Sequence, residues 1–175
     1  MISSAVDIDV GDNTFMKPDI EKIKSDVDLE ALMPLIEERI QAGQSVKFSP
    51  HGVSMLPMIV PGRDSVILSQ APEKLKRYDL PLYRRADGSF VLHRVVKAGE
   101  KYVCIGDNQF KFEGDVSHSQ VIAVVTKFVR DGHEISVKSF GYKLYCRAWH
   151  LSRPFRYWWR RGIGFVRRAI KKRFS

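Results

Sequence analysis

Apolar and polar residues follow three different rhythms along this chain, and the changes of rhythm divide it. Residues 1 to 25 are polar without a steady period and are expected to form a flexible arm. In "SDVDLEALMPLIEERIQAG", an acidic start, apolar Leu29, Leu32, Leu35, Ile36 and Ile40 at helical spacing and a closing Gly43 predict one amphipathic helix. Pro34 falls inside it and is expected to end a first turn or kink it. From Ser45 to Val137 the rhythm shortens to β-type runs: "SVKFS", "SVILS", "DLPLYRR", "SFVLHRVV", "KYVCIG", "QVIAVVTKFVR" and "EISVKSF". Ala86-Asp87-Gly88, Ala98-Gly99-Glu100 and Arg130-Asp131-Gly132 supply turns between them. The remainder interleaves aromatic and aliphatic residues with Arg and Lys and reads as two helical pieces broken near Pro154.

The expected architecture is therefore mainly β, α+β overall: a compact antiparallel fold with one N-terminal helix and basic C-terminal helices. Its parts are the arm over 1–25, a β domain with its leading helix over 26–140 and a basic aromatic tail over 141–175. A length of 175 residues suits one well-packed domain with peripheral helices. No window approaches the ~18 consecutive apolar residues of a membrane span. The opening residues lack the basic and apolar regions of a signal peptide, so a cytoplasmic location is expected. Cys104 and Cys146 are far apart and in no metal-type spacing, which points to free thiols. Neither a metal nor a cofactor is expected.

Charge changes the picture of the tail. The chain carries 29 Lys and Arg against 20 Asp and Glu. Eleven of the basic residues and none of the acids lie from Tyr142 onward, leaving 18 against 20 before it. The net charge of +9 thus belongs to the tail. Trp149, Phe155, Trp158, Trp159, Ile163, Phe165, Val166, Ile170 and Phe174 alternate there with the cations. Three readings stand side by side: a stripe packed on the β body, a helix lying on an anionic membrane surface, and a nucleic-acid contact. For the last two, Trp158, Trp159, Arg160, Arg161, Arg167 and Arg168 are the expected contact residues. At roughly 1 kcal/mol per cation near an anionic surface, eleven are ample for membrane attachment.

The candidate chemistry sits in "HGVSMLPMIVPGRDSVIL". Pro57 and Pro61 forbid a regular central strand, so Ser54 falls on a shaped loop, where a serine most often only closes a turn. A serine nucleophile needs a base within hydrogen-bond reach and donors for the oxyanion formed at the attacked carbonyl. His93, inside the apolar run "SFVLHRVV", can be that base or a structural histidine. "CIGDNQF" follows a strand and reads as a tight turn carrying Asp107. Serine, histidine and aspartate in this order are the parts of a nucleophile, a base and an orienting carboxylate.

In order and spacing, "GVSMLP", "GRDSVIL", "RYDLPLYR", "LHRVV" and "CIGDN" resemble the successive boxes of the S24/S26 serine peptidases, the group of type I signal peptidases and LexA-type self-cleaving repressors. The resemblance covers about residues 45 to 130. With its lead-in "PLIEERIQAGQSVKFSPHGVSMLPMI" and its Trp- and Arg-rich tail, the chain looks like a soluble bacterial subgroup using His as the signal peptidases of archaea and the endoplasmic reticulum do. The resemblance implies Ser54 as nucleophile and His93 as base, at the position where bacterial signal peptidases carry Lys. It also implies Asp107 of the Gly-Asp-Asn box and Asp115 as the two acids able to orient His93, with Asp115 preferred and Asp107 then structural or supporting. Arg94 cannot substitute as a base.

Two departures accompany these matches. Signal peptidases commonly read Ser-Gly-Ser-Met, and here Gly52 stands two places before Ser54; the oxyanion is then expected to rest on backbone N–H groups including that of Ser54, aided by His51. Neither the membrane anchor of signal peptidases nor a helix-turn-helix arm is evident. Met55, Leu56, Met58, Ile59 and Val60 are expected either to line a substrate groove or to pack in the core. The expected function is a serine endopeptidase cutting a peptide or pro-protein, at a membrane surface if the tail binds one. The alternative is a non-catalytic protein of the same fold that binds membrane or nucleic acid through its tail.

Overall fold

In a computed structural model, residues 29–159 and Arg161 are described. The arm expected over 1–25 lies outside them, as do Arg160, Arg167 and Arg168 of the tail. The chain divides into two units, residues 1–139 and 140–175.

The first unit opens with helix α1, Leu29–Gln41. Met33, Ile36 and Ile40, three and four residues apart, form its buried face, while Leu35 points outward and is 38% exposed. Pro34 neither ends the helix nor splits it. The stop is Gly43: at φ +75° it lets the Gln44 N–H turn back to the Arg39 carbonyl, at 2.9 Å.

Nine strands follow: β1 Val46–Phe48, β2 Asp64–Ser69, β3 Pro81–Arg84, β4 Phe90–Leu92, β5 Arg94–Lys97, β6 Tyr102–Ile105, β7 Glu113–Val116, β8 Val121–Arg130 and β9 His133–Ser136. All pairings are antiparallel. The fold is thus α+β and mainly antiparallel β. The larger sheet runs β1-β2-β8-β3-β4. Its spine is the ten-residue β8: β2 covers one side, β3 pairs its first half and β9 its second. Asp131-Gly132, both at positive φ, make the tight turn from β8 to β9 that the sequence predicts. The smaller sheet is β5-β6-β7.

The run "SFVLHRVV", expected as one strand, serves both sheets. Residues up to Leu92 pair with β3, and from Arg94 onward they pair with β6. His93 is the switch residue. Phe90 to Val95 are all buried, because a strand crossing between sheets is covered on both faces, so no alternation marks the crossing in the sequence. Between the sheets lies a core of Leu75, Tyr83, Val91, Val95, Tyr102, Cys104, Val116 and Val124.

The second unit holds helix α2, Phe140–Leu151, and a further helical stretch over 153–159. The interruption is at Ser152, two residues before Pro154, and helical bonds span it: Ser152 N–H to Ala148 O at 2.9 Å and Arg156 N–H to Ser152 O at 3.0 Å. Among the described residues no helix is long and apolar enough to cross a membrane.

Candidate functional site

Ser54 lies half-buried on the loop joining β1 to β2. Glycine is required at position 52 because φ there is +100°, a backbone region that disfavours a side chain. The loop is fixed at its far end by Asp64, which is 2% exposed. Its carboxylate accepts the Val60 N–H and the guanidinium groups of Arg63 and Arg130, at 2.8–3.0 Å. Arg130 also donates to the Met58 carbonyl at 2.7 Å. Burial alone would raise the Asp64 carboxyl, but these hydrogen bonds outweigh it and hold the group well below its ordinary 3.8.

The near end of the loop is clamped by the Gly-Asp-Asn turn. Asn108 donates its backbone N–H to the Ser54 carbonyl at 2.8 Å and its side-chain amide to the Val53 carbonyl at 3.0 Å. Gly106 passes so close that a Cβ there would stand 2.6 Å from the Ser54 carbonyl oxygen. The middle residue, Asp107, is fully buried and holds Arg94 through two hydrogen bonds, Nε to Oδ1 at 2.8 Å and Nη2 to Oδ2 at 2.7 Å. The Asp107 carboxylate is thus engaged by the residue next to His93. Because Arg94 adjoins His93 and Asn108 adjoins Asp107, one turn ties the Ser54 loop to the His93 crossing.

His93 is 1% exposed. The carboxylate beside it is Glu113, not Asp115: His93 Nδ1 stands 3.2 Å from Glu113 Oε1, close enough for charge contact though short of a well-aligned hydrogen bond. Glu113 is held by Tyr83, whose hydroxyl donates to Oε2 at 2.5 Å, and by Arg85, which donates Nε to Oε2 at 3.0 Å and Nη2 to Oε1. These bonds keep Glu113 below the ordinary carboxylate range despite its partial burial. Asp115 points elsewhere. It sits at φ +61° in an irregularity of the β6–β7 pairing, its side chain is 87% exposed, and its ion pair is with Lys101 at 3.7 Å. In a regular strand residues 113 and 115 would share a face; the extra residue in β7 turns one of them out.

Burial pushes the His93 imidazole down to about 4, with the Arg85 charge adding to the effect and Glu113 and Asp107 partly offsetting it. At neutral pH the ring is uncharged. Its Nε2 is buried, and no hydrogen bond joins it to Ser54. The Ser54 N–H, for its part, donates to none of the described residues. Tyr83 meets the His93 ring edge-on at 6.4 Å and stays protonated, its phenol raised by burial. Cys104, pushed by burial up to about 12, stays a thiol.

A cleft of about 30 Å³ opens beside Ser54. His51, half-buried, lines it with Ser54, Met55 and Ile59, and edge strands β1 and β4 contribute Phe48 and Phe90–Leu92. The expected groove residues divide. Met55, Met58 and Ile59 are at most 9% exposed and belong to the core, with Met55 and Ile59 also flooring the cleft, while Leu56 and Val60 are half-buried. A larger depression of about 1060 Å³ is lined by Asn108 and Glu113 together with Arg85, Phe110 and Phe112.

Glu113, Tyr83 and Arg85 were missed in the sequence. "KFEGDV" offered two acids flanking a glycine, and only the bulge decides between them. Compared with family models, with curated proteins and with solved structures, the chain matches none.

Proposed function

We propose that this protein is a serine endopeptidase of the S24/S26 kind, with Ser54 as nucleophile, His93 as general base and Glu113 as the residue that positions His93. One observation carries the reading: the Gly106-Asp107-Asn108 turn holds the Ser54 carbonyl on one side and, through Arg94, the His93 crossing on the other. His93 is buried with its Nδ1 3.2 Å from Glu113 Oε1, the placement of an oriented general base.

The chemistry follows from the atoms. Ser54 Oγ attacks the scissile carbonyl carbon as its proton passes to His93 Nε2, and the oxyanion is received by the Ser54 N–H. Cleavage of the C–N bond transfers that proton to the leaving amine, and water, activated by the same Nε2, releases the acyl group from Ser54. Glu113, held by Tyr83 and Arg85, keeps the Nδ1 proton and offsets the imidazolium charge. The cleft beside Ser54 suits a small apolar side chain, and the depression lined by Asn108 leaves room for further residues of an extended peptide. Cytoplasmic action belongs to the same proposal, supported by the thiol state of Cys104.

The open Ser54–His93 contact and the small cleft favour a second reading, a non-catalytic binding protein of the same fold. Mass spectrometry of a diverse peptide library incubated with the protein and with Ser54→Ala separates the two. Cleavages lost in the variant support the peptidase; identical peptide profiles with both proteins support the binding protein.

A further inference from the structure

Of the ten large hydrophobic residues that are exposed among the described ones, seven lie between positions 140 and 159. Phe140, Leu144, Leu151, Phe155 and Trp158 recur at steps of four, seven, four and three, the steps that return to one side of a helix. Their exposures run from 55 to 82%. The helical bonds bridging Ser152 keep the two stretches in one winding, so the five residues form a single apolar stripe. Trp159 widens it, stacked on Phe155 with ring centres 6.1 Å apart.

We propose that this stripe docks on an anionic lipid surface. Exposed Lys143, Arg147 and Arg161 accompany it, and no acid occurs from Phe140 to the end of the chain, so its electrostatic complement is a negative surface. A second copy of the same unit is disfavoured by its like charge. A nucleic acid would use the cations and stacking rings but leave Phe140, Leu144 and Leu151 in water; a lipid interface takes cations, tryptophan and aliphatic side chains together. The proposal is independent of catalysis and holds whether or not Ser54 is a nucleophile.

All three tryptophans, Trp149, Trp158 and Trp159, lie in this unit, so the emission of the full-length chain reports it alone. The test uses the Ser54→Ala protein with vesicles of phosphatidylcholine alone or with about one-third phosphatidylglycerol, following sedimentation and emission, with duplex DNA as competitor. Expected are co-sedimentation and a blue-shifted emission with the anionic vesicles only. The combined Leu144→Gln, Leu151→Gln and Phe155→Gln variant keeps every cation and every tryptophan and should bind about tenfold more weakly. Equal binding by that variant, no binding to anionic vesicles, or displacement of the protein from them by DNA would each overturn the proposal.

Discussion

Glu113 and Asp115 are two residues apart, carry the same charge and differ in everything the fold does with them. Glu113 faces His93 with three further bonds from Tyr83 and Arg85, while Asp115 stands in solvent beside Lys101. Since Glu113 raises the His93 pKa and Arg85 lowers it, Glu113→Gln removes the larger of the two offsetting charges, leaving only that of Asp107, and should drive the imidazole below about 4. Asp115→Asn should leave it unmoved. Titration of the His93 ring by NMR checks both, and a shift caused by Asp115→Asn alone would reverse the assignment. If the peptidase reading holds, the acid limb of kcat/KM has its midpoint below the ordinary 6.5 of histidine and moves lower still in Glu113→Gln. A limb indifferent to that change would leave Glu113 a merely structural partner.

The β1–β2 loop, the Gly-Asp-Asn turn and the β4–β5 crossing work together, and their predictions concern geometry. Gly106→Ala forces the Ser54 carbonyl away from a contact of 2.6 Å, so the loop must move; a displacement near 1 Å costs about a hundredfold in rate. The same variant should show altered amide signals for Val53 to Met55 by NMR, a readout needing no substrate. Asp107→Ala leaves Arg94 buried without its carboxylate and should cost about 3–5 kcal/mol in urea unfolding. A loss below about 1 kcal/mol would mean that Arg94 escapes to water. The sequence announced the turn, but the reason for its three residues is visible only against Ser54 and Arg94. Glycine gives close approach, aspartate the ion pair, asparagine the clamp.

For the whole molecule, His93 and Asp64 are the buried groups among the described residues whose large shifts bear on stability in acid. His93 is harder to protonate in the folded chain than unfolded, where it takes a proton near 6.5, so folding loses stability as the pH falls from 6.5 towards 4. Asp64, depressed from 3.8, adds stability above that value that disappears as the pH drops further. The urea midpoint should therefore be level between about pH 7 and pH 8 and fall below that range, with His93 alone accounting for about 3 kcal/mol by about pH 4. A midpoint that rises on acidification would contradict this sign. The sequence by itself determined the alternation of β1 and β2, the Asp131-Gly132 turn, the helix closed by Gly43 and the segregation of charge into the tail. These follow from neighbours along the chain, through side-chain period and glycine's access to positive φ. Only the tertiary structure decided that "SFVLHRVV" splits between two sheets at His93, that Glu113 displaces Asp115, and that Met55 and Ile59 are core. Each depends on strands distant in sequence: a run covered on both faces carries no period to read, and a bulge in a partnered strand reverses the face of every residue beyond it.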